Sequence, residues 1–336
     1  MRRYIFAPDG ERFRLDLQQV VDPQPGAGEV LVRVKSCSLN YRDLVMMRNE
    51  RKLSIAGLVP LSDGAGEIVA VGAGVRDRQV GERVVADFFR RWPHGKFSKT
   101  AMDSAQGGAV DGMLAELVVL PADAVLPIPE YLAFSEAATL PCAALTAWNA
   151  LVTRGNLRAG QTVLVLGSGG VSVFALQIAH ALKATVIATT STPSKVSRLT
   201  ALGATYVIDT RARADWETAV HELTNKRGVD HVIEVGGVGS LERSIKAVAH
   251  AGHIALIGVL AGATPPTNLF GLAHKNVNVS GIYVGSVEHF AAMNRFFVAH
   301  KIRPVVDREF GFVDAMKAYG HLASGTHLGK VVITIP

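Results

Sequence analysis

The chain has 336 residues, of which 49% are hydrophobic, 19% charged and 33 glycine. That make-up fits a turn-rich α/β enzyme of two domains and excludes a disordered or fibrous chain. Its formal net charge of +6 comes from dispersed pairs such as Arg2-Arg3 and Arg90-Arg91; without an aromatic-interleaved basic stripe, no nucleic-acid partner is expected, although anionic cofactors are attracted.

Up to about residue 123, short apolar runs broken by glycine and proline, "EVLVRVKSCSL", "GAGEIVAVGAGV", "GERVVADFF" and "MLAELVVLP", predict a small, mostly β module. Within it, "VKSCSLNYRD" sets Cys37, Asn40 and Asp43 at a strand end, which raises the choice between a metal site, a metal-free active site and neither. Tyr41 would point away from Asn40 if the strand continued. "SEAATLPCAALTAWNALV" then has helical periodicity, with Ser135 placed as the cap and Glu136 in the first turn.

After Gly160 the rhythm becomes strand, helix, strand. The expected strands are "TVLVLG" (162–167), "TVIATT" (185–190), "TYVID" (205–209), "VDHVIEVG" (229–236), "HIALIG" (253–258) and "VNVSGIYVG" (277–285). Six such strands predict a doubly wound parallel sheet made of two mononucleotide-binding halves. The tail ends in a strand-like run expected to rejoin the first domain.

"VLVLGSGGVSVFALQIAHAL" places Gly167, Ser168, Gly169, Gly170 and Val171 between a buried-looking strand and a helix. Glycines there let the backbone turn and approach a pyrophosphate, while the helix N-terminus offers free N–H groups. Ser172 replaces the third glycine of the usual fingerprint. At the end of the next strand, where an acidic residue would hold a ribose 2′-hydroxyl, stand Thr190 and Ser191, followed by Lys195 and Arg198. Hydroxyls and cations suit a 2′-phosphate, so NADPH is the expected cofactor. The competing reading is that Lys195 and Arg198 form a solvated helix face.

Along essentially its whole length the chain resembles the medium-chain dehydrogenase/reductase superfamily. The landmarks are "GEVLVRVKSCSLNYRDL", "PLSDGAGEIVAVGAGV", "VGERVV", "DGMLAELVVLP", "AATLPCAALTAWNAL", "GSGGVS", "GVDHVIEVGG" and "GTHLGKVVI". The resemblance implies a GroES-like catalytic domain (1–124 and 299–336), a Rossmann domain (125–298) and an active-site cleft at their junction. In the superfamily's zinc alcohol dehydrogenases, the three catalytic-zinc positions fall here on Asn40, Ser62 and Cys142, and the proton relay on Arg42 and Val45. The segment matching their structural zinc lobe, "FFRRWPHGKFSKTAMDSAQGG", has no cysteine. Asn and Ser are poor zinc ligands, so no metal is expected.

The pattern looks most like the zinc-free quinone oxidoreductase branch. By that resemblance Asn40 stands near the nicotinamide; its amide is the candidate for orienting the nicotinamide or the acceptor, and Tyr41, next to it in the chain, offers a phenol. Cys142, Thr146, Val235, Gly236, Ile257, Gly258, Val259, Tyr283, Val284 and Lys330 are expected around the cofactor. A tyrosine that some of those enzymes carry five residues after the asparagine is Val45 here. Cys37 and Cys142, the only cysteines, are otherwise read as buried small hydrophobes.

The expected protein is an NADPH-dependent, zinc-free oxidoreductase that passes hydride to a quinone or α,β-unsaturated carbonyl. The alternatives are an alcohol or aldehyde dehydrogenase-like enzyme without zinc and a non-catalytic NADPH-binding protein. A homodimer is expected, because the last Rossmann strand is an apolar sheet edge. With two cysteines, no signal-peptide pattern and no apolar run near 18 residues, a cytoplasmic location without membrane contact is expected.

Overall fold

The computed structural model describes residues 1–50, 52–258 and 268–336; Val259 lies outside the described residues. The chain forms two compact units, one of Met1–Leu145 with Gly285–Pro336, the other of Thr146–Val284. The divisions fall at 145/146 and 284/285, which is 21 residues after and 14 residues before the expected 124/125 and 298/299.

The first unit begins with a hairpin of β1 (Arg2–Asp9) and β2 (Arg12–Gln19). Its main sheet uses β3 (Glu29–Ser38), β4 (Asp63–Val71), β5 (Arg83–Ala86), β6 (Leu117–Pro121) and β7 (Val125–Pro127). β3 pairs with both β4 and β6 and is buried along most of its length, including Val30, Val32, Val34 and Cys37. Arg33, the exposed residue, and Lys35 interrupt its apolar run. Gly66 on β4 is required by the close approach of β3: a Cβ there would lie 2.1 Å from the Arg33 carbonyl oxygen.

The strand does not continue through Asn40. It ends at Ser38, and Asn40 is the N-cap of a helix over Tyr41–Met47. The alternation expected to turn Tyr41 away from Asn40 therefore does not apply, because both belong to a helix start. Ser135 is likewise not a cap. Ala133 holds that position before the helix Phe134–Ala137, and the Glu136 carboxylate accepts the Ala133 N–H at 2.8 Å. Pro141, which has no N–H to give, lies in a π-helical turn over Leu140–Ala144. A second such turn spans Asn149–Thr153.

The second unit is a parallel sheet of β8 (Thr162–Val165), β9 (Thr185–Thr190), β10 (Tyr206–Asp209), β11 (Val229–Glu234), β12 (Val248–Leu256) and β13 (Asn278–Gly281). Its spatial order, β10-β9-β8-β11-β12-β13, is the doubly wound order 3-2-1-4-5-6. Leu164, Ile187, Val232 and Ile254 pack beneath Trp216 and Val220 in one core.

The chain returns to the first unit through the helix Val287–His300, then β14 (Val306–Gly311) and β15 (Lys330–Thr334). β15 pairs antiparallel with β3, so the C-terminal run does rejoin the first sheet. This pairing sets Lys330 beside the end of β3 and Asn40.

Candidate functional site

In the second unit, the sheet order reverses between β8 and β11, and the turns following the carboxyl ends of the strands are where a doubly wound sheet binds ligands. Gly167, Ser168, Gly169 and Gly170 leave β8 there. Gly167 has φ of 74°, a conformation glycine adopts without strain, and its N–H donates to Thr189 Oγ1 at 3.0 Å. No atom lies within 4 Å of where a Cβ would stand on Gly167 or Gly169, so the backbone itself borders open space. The helix Gly170–Ala181 starts here, with Gly169 as N-cap and Val171 half-buried in its first turn. Ser172, in the third glycine's place, is buried and donates its hydroxyl to the Leu166 carbonyl at 2.7 Å.

At the end of β9, Thr190 is buried and its Oγ1 accepts the Thr192 N–H at 3.1 Å, while Ser191 is exposed. Lys195 and Arg198 part company. Lys195 is 8% exposed and donates to Ser168 Oγ at 3.2 Å, linking the β9 turn to the glycine loop. Arg198 is exposed on the helix Val196–Ala201. The solvated-face reading fits Arg198 and fails for Lys195.

The turn after β11 carries Val235 and Gly236 and is organised by a residue not singled out from the sequence. Glu234 is fully buried, and its Oε1 accepts the Gly236 N–H (2.8 Å), the Gly237 N–H (3.0 Å) and the Ser240 hydroxyl (2.7 Å); Ser244 donates to Oε2. Its main-chain carbonyl receives the Ile257 N–H at 2.9 Å, which ties the turn after β12 to the turn after β11. After β13, Tyr283 is exposed, whereas Val284 is buried with φ of 57°. A β-branched residue there is strained. The Asn149 amide holds it by donating to the Val284 carbonyl at 2.6 Å. Thr146 is buried in the same unit, three residues before Asn149.

The first unit gathers Asn40, Asp43, Ser62, Asp63, Cys142 and Lys330. Lys330 is 3% exposed; its ammonium donates to the Leu39 carbonyl at 2.6 Å and to Asn40 Oδ1 at 2.5 Å, and lies 3.8 Å from Asp63. These contacts hold the Asn40 side chain in place. Asp43 Oδ2 accepts the Asn40 N–H at 2.7 Å, so the asparagine is fixed from two sides. The Asn40 amide sits beside Asp63 and favours its ionised form, yet Nδ2 makes no hydrogen bond of normal geometry and is a buried donor without a partner. Such a donor costs about 1–3 kcal/mol.

Asp63 is fully buried, receives the Ser62 hydroxyl at 2.7 Å and the Cys142 N–H at 3.4 Å, and is pushed up by burial against the opposing pull of Lys330. Burial likewise pushes Asp43 up to about 6. Cys142 keeps some exposed surface, but the protein around it, and then the Asp63 carboxylate, push its thiol up. Tyr41 is 38% exposed at the start of the helix.

These groups do not fit a catalytic zinc. Two of the three ligand positions are an amide and a hydroxyl, which leaves a single thiol, and the Lys330 ammonium already occupies the polar centre. Among the described residues no group of three or more His, Cys, Asp or Glu is placed to hold a metal ion.

Asp63 and Glu234 each had a signal in the sequence: an acid inside an otherwise apolar or glycine-rich strand, "PLSDGAGE" and "DHVIEVGG". Thr189 and Asn149 had none, since their roles come from backbone groups brought near by the fold.

The profile described as "Alcohol dehydrogenase GroES-like domain" matches residues 26–130, and that described as "Zinc-binding dehydrogenase" matches residues 170–299. A zinc-type alcohol dehydrogenase-like protein of Schizosaccharomyces pombe is 44% identical over 92% of this chain and 91% of its own. An acryloyl-coenzyme A reductase of Metallosphaera sedula is 27% identical over 97% and 98%. Among solved structures, an NAD-dependent alcohol dehydrogenase superposes with a TM-score of 0.91 at 31% identity, covering all of both chains. A quinone oxidoreductase of Pseudomonas syringae gives 0.83 at 26% identity over 99% of both. A mycobacterial protein complexed with NADPH gives 0.82 at 25% identity over 99% and 100%. With a GroES-like unit, a doubly wound sheet and a glycine loop at its switch point, the chain belongs to the medium-chain dehydrogenase/reductase superfamily of pyridine-nucleotide-dependent oxidoreductases.

Proposed function

We propose that the protein is an NADPH-dependent reductase of quinones or α,β-unsaturated carbonyls that works without zinc. The observation that carries the reading is the Asn40 cluster, in which a lysine fills the polar centre and an asparagine donor is left over. Reducing a simple carbonyl builds charge on the oxygen next to the carbon receiving hydride, which calls for a metal, a proton donor or strong dipoles. In a quinone or enone the charge spreads to a more distant oxygen, and one or two hydrogen bonds suffice.

NADPH, when bound, supplies the hydride. Gly167, Gly169 and Gly170 cradle the pyrophosphate; Lys195, with Ser168, Thr190 and Ser191, compensates the 2′-phosphate. Val171, Val235, Gly236, Ile257, Gly258, Tyr283, Val284 and Thr146 line the remainder of the cofactor in this reading. Asn40 Nδ2 donates to the acceptor's oxygen, Lys330 and Asp43 hold Asn40 in position, and the Tyr41 phenol supplies the proton. The names of the quinone oxidoreductase, the acryloyl-coenzyme A reductase and the NADPH complex support this reading.

The alcohol dehydrogenase names among the relatives favour a second reading, oxidation of an alcohol. The two are separated by steady-state NADPH oxidation with a panel of quinones and enones, set against NADP reduction with simple alcohols. Conjugated acceptors are expected to turn over and primary alcohols to be nearly inert, with Asn40→Ala lowering kcat/KM about 10-fold or more. Alcohols turning over faster than every conjugated acceptor would replace the first reading with the second.

A further inference from the structure

The second unit holds a pocket of about 560 Å³ that the nucleotide loop does not use. Gln161 stands just before β8, His231 near the start of β11, His253 where β12 begins its pairing with β13, and Ser280 on β13, and all four line it. These are the amino-end parts of the strands. The glycine loop leaves the carboxyl end, and strands of 4 to 6 residues separate the two, roughly 13–20 Å at about 3.3 Å per residue.

The lining is cationic. Arg154 and Arg158 border the pocket, both exposed, and neither guanidinium has a hydrogen-bond or ion-pair partner among the described residues. The one acid in the lining, Asp230, is already engaged: Arg227 holds it through two contacts of 2.7 and 2.9 Å, and it accepts the Thr162 N–H at 2.7 Å. Two positive charges are left over.

The two histidines are 4% and 8% exposed, and their hydrogen bonds fix which atoms carry protons. Gln161 Oε1 accepts the Arg158 N–H at 2.8 Å, so it acts as an acceptor, and His231 Nε2, 3.2 Å away, must be the donor. His231 Nδ1 is then the acceptor for His253 Nδ1–H across 3.5 Å. Burial holds both rings neutral, His231 down at about 4. His253 Nε2 is thereby left as a bare lone pair, buried and without a partner. Two guanidinium groups that could meet an anion thus border the pocket, and one of its lining residues, His253, carries a buried acceptor lacking a donor.

We propose that this pocket is a second ligand site, for a small oxyanion that also carries an O–H donor: a monoprotonated phosphate group or a hydroxycarboxylate. Arg154 and Arg158 bind the charged oxygens, and the O–H serves His253 Nε2. The donor requirement follows from the tautomer chain and separates this class from oxyanions that have only acceptors.

The test is calorimetric titration of the full chain, saturated with NADPH so that the nucleotide loop is filled, with phosphate, citrate and sulfate at mildly alkaline pH. Phosphate and citrate represent the two sources of the chemistry; sulfate has the charge and shape of phosphate but no O–H. Saturable binding of phosphate or citrate is expected, about 10-fold tighter than sulfate and about 10-fold or more weakened in R154Q/R158Q. Both arginines are exposed, so that variant should melt as the parent does. Absence of binding by both probes, equal affinity for sulfate, or unchanged affinity in R154Q/R158Q would each overturn the proposal.

Discussion

Replacing Lys330 with Met removes a charge from the middle of the first unit while keeping a side chain of similar length. In the native chain the ammonium serves the Leu39 carbonyl, Asn40 Oδ1 and, at 3.8 Å, the fully buried Asp63. Without it Asp63 keeps the Ser62 hydroxyl at 2.7 Å and the Cys142 N–H at 3.4 Å, but no facing cation at that distance. Losing one partner of a buried pair costs about 3–5 kcal/mol, because the survivor stays charged and desolvated.

The cost must depend on pH, with a sign set by Asp63. Burial already raises its carboxyl and Lys330 opposes the rise, so the variant's pKa lies higher still. A carboxyl whose folded pKa exceeds the unfolded value of about 3.9 holds its proton better when folded. Stability is therefore lost as pH climbs from the unfolded toward the folded pKa. Urea unfolding followed by circular dichroism should show a Lys330→Met deficit larger at about pH 8 than at about pH 5. Asp63→Asn in the same chain should recover a large part of it. A deficit below about 1 kcal/mol, equal at both pH values, would refute the argument.

The 2′-phosphate assignment predicts that Lys195→Ala weakens NADPH binding about 10-fold or more and leaves NADH nearly unchanged, as read by fluorescence titration; equal losses would make Lys195 a structural residue. Metal analysis of purified protein is expected to find no stoichiometric zinc, with activity surviving prolonged chelation, because two of the three ligand positions are an amide and a hydroxyl and the amide oxygen is taken by the Lys330 ammonium. Zinc lost together with activity would contradict this. Among the described residues β13 pairs only with β12, so its outer edge is available to a second copy, and light scattering at micromolar concentration is expected to give a dimer mass.

Sequence periodicity placed the strands of the second unit to within two residues at their ends, except for β12, which starts at Val248 rather than 253, and β13, which ends at Gly281 rather than 285. It did so because parallel strands buried on both faces are unbroken runs such as "TVLV" and "TVIATT" between amphipathic helices. The glycine loop was legible for a similar reason: its conformation depends on residues adjacent in the chain. Once the resemblance had assigned three positions to zinc ligands, their donor types were also readable, since amide, hydroxyl and thiol are properties of the residue and not of its surroundings. Where a residue's role depends on partners distant in the chain, the sequence was silent or misleading. The helix beginning at Tyr41 defeated the alternation rule for that residue. Lys195 and Arg198 look alike on paper, and only packing buries one against Ser168 and leaves the other in water. Lys330 reaches Asn40 across 290 positions because β15 pairs with β3, a contact that no local pattern encodes. The His231–His253 pair and the arginines beside it are scattered over a hundred residues, and it is the register of β11 on β12 that brings the rings together. Local preference and donor chemistry are carried by each residue, whereas burial and pairing are properties of the folded chain and exist only once the sheet has closed.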